Sequence, residues 1–141
     1  MNKKKLNQSF LNLYEQFDKL CCEKFGITTG GATEYINRLN NARFAPNRDE
    51  ILPKLVNYRN IRNRFAADEA LIKKADELTK EDITWLRNFV KDLQKQKDPI
   101  STYLKKARAF ARRRKFGKVM LTIGIIAVVA AAAVAAYFFL K

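Results

Sequence analysis

The run Val119–Leu140, VMLTIGIIAVVAAAAVAAYFFL, holds 22 residues and no charge. At about 1.5 Å per residue a helix of that length spans roughly 33 Å, against a hydrocarbon core of about 30 Å. A core helix in so small a chain needs a polar face, and this run offers only Thr122. Its C-terminal position excludes a signal peptide. Tyr137, Phe138 and Phe139 stand where an interfacial aromatic belt belongs. Gly124 and Ala130 to Ala133 permit close helix approach, although no GxxxG occurs. The sequence therefore predicts a transmembrane helix over 119–140; the competing reading is an oligomerisation helix buried in protein.

Charge supports the membrane reading. The chain carries 28 Lys and Arg against 14 Asp and Glu, a net +14. Eight of the positive charges fall in one stretch without an acid: Lys105, Lys106, Arg108, Arg112, Arg113, Arg114, Lys115 and Lys118. Lys141 supplies one more, leaving +5 for residues 1–104. A basic block beside an apolar run is the mark of an anionic membrane surface. With eight basic residues before the span and one after it, the positive-inside rule places residues 1–118 in the cytoplasm, as a single-pass, tail-anchored protein. Cys21 and Cys22 are adjacent, which suits neither an ordinary disulfide nor, without any histidine, a closed zinc site. They fit a reducing compartment.

Before residue 100 the chain reads as helical throughout. Leu6, Phe10, Leu11, Leu13, Tyr14, Phe17, Leu20, Cys21 and Phe25 recur every three or four residues and form one broad apolar face, closed by Gly26. A short helix is expected over about 32–40, then a loop. A third helix starts near Asp49 with Pro53 in its first turn. Its apolar face is Leu52, Leu55, Val56, Ile61 and Phe65. Thr79 and Asp82 have capping-box spacing before a helix carrying Ile83, Leu86, Phe89, Val90 and Leu93, with Trp85 beside the stripe. Asp98 and Pro99 read as the N-cap and first residue of a helix that runs on through the basic block into the apolar run. The expected fold is all-α. A four-to-five-helix bundle occupies 1–100, a basic juxtamembrane helix 101–118 and a transmembrane helix 119–140.

One stretch carries a candidate site. In RNRFAA, Arg62 to Ala67, polar and basic residues gather at a helix end; Arg59 and Asn63 share a face and Ile61 and Phe65 mark the buried side. From spacing alone this is a solvated basic face beside a core stripe.

YRNIRNRFAADE resembles the R-x4-6-H motif of the HEPN family. The segments LYEQFDKLCCEKFG, GATEYINRL, LVNYRNIRNRFA and DITWLRNFVKDLQKQKDPI follow one another as in a small bacterial HEPN-type family. The resemblance covers about residues 6–100. It implies a dimeric, metal-independent endoribonuclease without cofactor, in which the 2′-hydroxyl attacks the neighbouring phosphate. In that scheme Arg62 grips phosphate oxygens, Asn63 orients its partners, and Arg59 and Arg64 hold the RNA backbone. Ala67 occupies the position of the family histidine, the group whose ordinary pKa near 6.5 suits proton transfer. Alanine exchanges no proton, so the chain as written is expected to be inactive or nearly so. Either the alanine is an introduced replacement in a toxic protein, or the domain is a naturally degenerate one that binds or signals.

The leading expectation is thus a membrane-anchored HEPN ribonuclease-type protein, a bacterial toxin or anti-phage effector of the inner membrane. Its partners would be RNA, anionic lipid, a second or further copies of itself, and an antitoxin or defence component. The alternatives are a non-catalytic HEPN-like membrane effector that assembles into oligomers or a pore, as in accessory proteins of RNA-targeting CRISPR systems, and an RNA-binding module.

Overall fold

The computed structural model describes residues 2–140, and every regular element among them is helical. It divides into two compact units, one reaching to Tyr103 and the other starting at Leu104.

In the first unit, α1 (Lys3–Phe25) is the central element and packs on α2 (Gly31–Asn41), α4 (Leu71–Lys74) and α5 (Lys80–Gln94). Its expected apolar face is buried most deeply at Phe10, Tyr14, Phe17 and Cys21, while Leu6, Leu11, Leu13, Leu20 and Phe25 pack at the margin. Gly26 ends the helix at φ +66°, a left-handed conformation that costs glycine little. Gly31 answers a different demand: a Cβ there would lie 2.3 Å from the Asp18 carbonyl oxygen, so α2 approaches α1 this closely only with glycine.

α3 (Arg48–Ala67) buries Leu55, Tyr58, Ile61 and Phe65. It starts at Arg48, within a residue of the expected Asp49, and Pro53 falls in its second turn rather than its first. Pro53 has no N–H, so the Asp49 carbonyl loses its helical donor; the loss falls on a solvent-exposed turn. The side chain of Arg48 reaches back to α2, its Nε donating to the Leu39 carbonyl at 2.9 Å and its Nη2 to the Asn40 carbonyl at 2.7 Å. The four-residue α4 is tied down by Asn7, whose Nδ2 donates to the carbonyls of Ile72 (2.8 Å) and Ala75 (3.0 Å). α5 opens with the expected capping box and buries Ile83, Leu86, Phe89, Val90 and Leu93.

Six aromatic rings close a circuit through α1, α3 and α5: Phe10, Tyr14, Phe17, Phe89, Trp85 and Tyr58. Their successive centroids lie 5.3–5.9 Å apart. These separations fall in the range where tilted, edge-on and offset ring pairs attract. The circuit fixes the register between α1 and α3, and so sets what faces Arg62.

α6 (Pro99–Leu140) is one uninterrupted helix of 42 residues. Its first turn belongs to the bundle. Asp98 caps it through a hydrogen bond from the Ser101 N–H to Oδ2 (3.2 Å), and the same oxygen accepts from the Tyr35 hydroxyl at 2.6 Å. In the second unit the helix is exposed at every described position from Leu104 to Leu140. The single threonine of the apolar run, Thr122, donates its hydroxyl to the Lys118 carbonyl at 3.0 Å, so this polar group is satisfied within the helix, as a lipid environment demands.

Candidate functional site

Residue by residue, α3 brings some of the expected site together and disperses the rest. Arg62 and Asn63 are exposed neighbours, with Arg62 Nη1 donating to Asn63 Oδ1 at 3.3 Å. Arg59 is half-buried on the side facing α1, close enough for its charge to act on Tyr14. Arg64 is committed elsewhere: its guanidinium pairs bidentately with the Glu77 carboxylate, so the group expected to hold the RNA backbone already holds an acid. Ala67 is the last residue of α3 and exposed.

Arg62 lines a cleft of about 400 Å³ between α1 and the end of α3. Tyr14, Glu15 and Asp18 form the α1 wall, and Leu11, Phe65 and Ile72 supply apolar floor. Ala66 and Glu69 complete the rim; Ala67 does not line it. Helix geometry explains the choice. Four residues beyond Arg62 the helix has returned to nearly the same face, whereas five residues beyond it has turned past it.

The electrostatics of this cleft are mixed. Three carboxylates share it with one guanidinium. Tyr14 is 5 % exposed, and its hydroxyl has no hydrogen-bond partner among the described residues. Burial pushes its pKa up to about 12, partly offset by the positive charge of Arg62, so at neutral pH the phenol is protonated. Asp18 has a structural duty as well: its Oδ1 accepts from the Ala32 N–H at 2.9 Å and so caps α2, whose own cap position, Gly30, has no side chain to do so.

This chemistry differs from what the motif implied. The histidine that the motif calls for is absent: Ala67 exchanges no proton, and the phenol of Tyr14, raised by burial, keeps its own at neutral pH. Tyr14, Glu15 and Asp18 were missed as site residues in the sequence. Their i, i+1, i+4 spacing on α1 is visible there, but nothing local says that α3 faces them. Cys21 is buried in the core, where desolvation pushes its thiol up, and Cys22 is half-buried; both are free thiols. Among the described residues no group of three His, Cys, Asp or Glu is placed to hold a metal ion.

The basic stretch forms a second candidate. Lys105, Lys106, Arg108, Arg112, Arg113, Arg114, Lys115 and Lys118 are all exposed on α6. At about 100° per residue they point in every direction around the helix. A helix lying in the plane of a membrane keeps one apolar face instead. Phe110 and Phe116, 69 % and 67 % exposed, sit among the basic residues.

Fold and sites together define an all-α protein whose C-terminal helix is long and apolar enough to cross a membrane. A family of unknown function, DUF6548, matches residues 8–120, and the chain belongs to it. The matched stretch takes in the bundle from residue 8 of α1 onward and the whole basic stretch. No curated protein and no solved structure matches the chain.

Proposed function

We propose that this protein is a single-pass membrane effector of HEPN-like descent. Its helical bundle lies on the cytoplasmic side and acts by binding rather than by cutting RNA. The observation that carries this reading is the order of features along α6: basic residues on all sides of the helix, followed at once by 22 uncharged ones. A ring of positive charge is suited to a helix that passes through the headgroup layer, where each basic residue near the surface contributes about 1 kcal/mol. The Thr122 back-bond fits the same environment. The binding role is supported by Ala67, which stands at the position of the family histidine and exchanges no proton.

The test is co-flotation with liposomes containing anionic lipid, comparing the full chain with one ending at Lys118. The full chain is expected to float and to resist extraction by carbonate. The shortened chain is expected to float weakly and to leave the liposomes at high salt. Equal behaviour of the two would sink the proposal.

A second reading keeps the nuclease. It is favoured by the exposed, mutually hydrogen-bonded Arg62–Asn63 pair in the last turns of α3, where the HEPN motif places its arginine and asparagine. In this reading Ala67→His restores cleavage that leaves cyclic phosphate ends, and Arg62→Ala removes it again. A toxin or anti-phage role would follow from that activity.

A further inference from the structure

The basic stretch of α6 is longer than the lipid layer it is read as crossing. A helix rises about 1.5 Å per residue, and the headgroup region adds only roughly 5–8 Å to each side of the hydrocarbon core. With Val119 at the edge of that core, Lys118, Lys115 and Arg114 stand about 2, 6 and 8 Å outside it, within the headgroup layer. Arg112, Arg108 and Lys106 stand about 11, 17 and 20 Å out, beyond the layer. A tilt of about 20°, usual for such helices, shortens these heights by only about 6 %. At physiological salt the field of the lipid charges fades over about 8 Å. The outer cations thus exceed what the membrane uses, and residues 104–118 contain no acid to pair with them along the helix.

The two phenylalanines of the stretch divide in the same way. Phe116, 67 % exposed, lies about 5 Å from the edge of the core, close enough for its ring to reach it. Phe110, 69 % exposed, lies about 14 Å out, farther than its side chain extends. The membrane therefore accounts for Phe116 and leaves Phe110 in water. By the helical repeat Lys106 stands one turn before Phe110, and Arg113 and Arg114 one turn after it, on the same side of the helix. A flat apolar ring is thus held in water between cations.

We propose that this membrane-distal part of α6, from Lys106 to Arg113, binds single-stranded nucleic acid. Lys106, Arg108, Arg112 and Arg113 meet the phosphates, and a base stacks on the Phe110 ring. Cations along a backbone path with an interleaved aromatic hold single strands without reading their sequence. A duplex satisfies the cations but keeps its base faces stacked inside, away from Phe110. An acidic protein segment supplies charge without a flat face, and free phosphate leaves the ring unused. The inference rests on the membrane reading, which sets the heights, and it does not use Arg62.

The experiment is co-flotation of a fluorescent uridine oligonucleotide of about 12 nucleotides, within the usual site size, with the full chain in vesicles of zwitterionic lipid. The oligonucleotide is expected to float with the protein, and its affinity to fall with salt at a logarithmic slope of about −2 to −3 for three or four phosphates. A thymidine deoxyoligonucleotide binds equally, because phosphates and base faces carry the contacts. Phe110→Ala weakens binding by about tenfold and Phe110→Trp retains it; Phe116→Ala changes nothing. Two triple variants of equal charge separate the halves. Lys106→Gln with Arg108→Gln and Arg112→Gln abolishes oligonucleotide binding but leaves attachment to anionic vesicles nearly intact. Arg114→Gln with Lys115→Gln and Lys118→Gln does the reverse. All these positions are exposed and lie outside the bundle, so unchanged melting of the bundle shows that each variant is folded. A full chain that does not enter the vesicles overturns both this inference and the membrane reading. A full chain that floats without the oligonucleotide overturns this inference alone. So do equal binding in Phe110→Ala, a duplex that binds as tightly as the single strand, and polyglutamate that displaces the strand as well as unlabelled oligonucleotide does.

Discussion

The bundle and the C-terminal part of α6 spend apolar residues in opposite ways. In the bundle, Phe10, Phe17, Tyr35, Leu39 and Leu86 are wholly shielded from solvent, and the aromatic circuit links three helices. Along the apolar run of α6, Ile126, Val128, Phe138 and Phe139 are 64 %, 69 %, 72 % and 95 % exposed. A soluble monomer rarely presents a contiguous apolar surface of this kind. The first region is therefore stabilised by its own packing, and the second needs an apolar surrounding that the single chain does not supply. Changes that damage one region should leave the other intact.

The largest separation is expected from a cavity in the circuit. Phe17 touches Tyr14, Tyr35 and Phe89, and Phe17→Ala removes the shared centre of these contacts. A loss of about 3–5 kcal/mol is expected, a large part of a typical domain stability of about 5–15 kcal/mol. Urea unfolding followed by Trp85 fluorescence measures it. Membrane association of the variant should persist. The reverse change places a charge in the apolar run. Val128→Arg is expected to cost about 2.5–3.5 kcal/mol of insertion, seen as protein lost from the membrane fraction, with the urea midpoint of the bundle unmoved. A Val128→Arg variant that also unfolds the bundle would mean that the two regions share one stability.

A smaller effect tests the base of α6, where the bundle holds its first turn. Asp98 is 1 % exposed, and its Oδ1 has no hydrogen-bond partner among the described residues. Its other oxygen depends on the Tyr35 hydroxyl and the Ser101 N–H. Tyr35→Phe keeps the ring against Phe17 and Phe89 but withdraws the better of these two donors. A loss of about 1–3 kcal/mol is expected from the under-satisfied carboxylate. Its companion variant Asp98→Asn should recover part of that loss in the Tyr35→Phe background, because the buried charge is gone; a double-mutant cycle reads this coupling.

Much of this architecture was legible in the sequence because it rests on local rules. Thr79 and Asp82 announce the start of α5, Gly26 the end of α1, and the apolar spacing from Ile83 to Leu93 names the buried face. Asp98 and Pro99 mark the start of α6. What was not legible depends on contacts between distant segments. α4 is a four-residue turn held by the side chain of Asn7, more than sixty positions away, and no local pattern marks it. The start of α3 was legible to within a residue, but the bonds from the Arg48 side chain back to α2 were not. At the candidate site Arg62 and Asn63 were readable as an exposed pair. That Arg64 would be held by Glu77, and that Arg62 would face Tyr14, Glu15 and Asp18, follows only once the aromatic circuit has set α1 against α3.

The finest test concerns how the basic part of α6 meets a membrane. Lys106 and Arg113 lie on one side of the helix, and Arg108 and Lys115 on nearly the opposite side, by the ordinary helical repeat. If the helix passes through the headgroup layer, both sides meet anionic lipid. Lys106→Gln with Arg113→Gln should then cost the same as Arg108→Gln with Lys115→Gln, about 1 kcal/mol for each residue near the surface. If instead the segment lay flat, only the pair facing the lipid would contribute. Liposome binding of the two double variants at low salt decides between these outcomes. The difference from the unaltered chain should fade at about 1 M salt, where the screening length falls to about 3 Å. The bundle should melt unchanged in both variants, since all four residues are exposed and lie outside its unit.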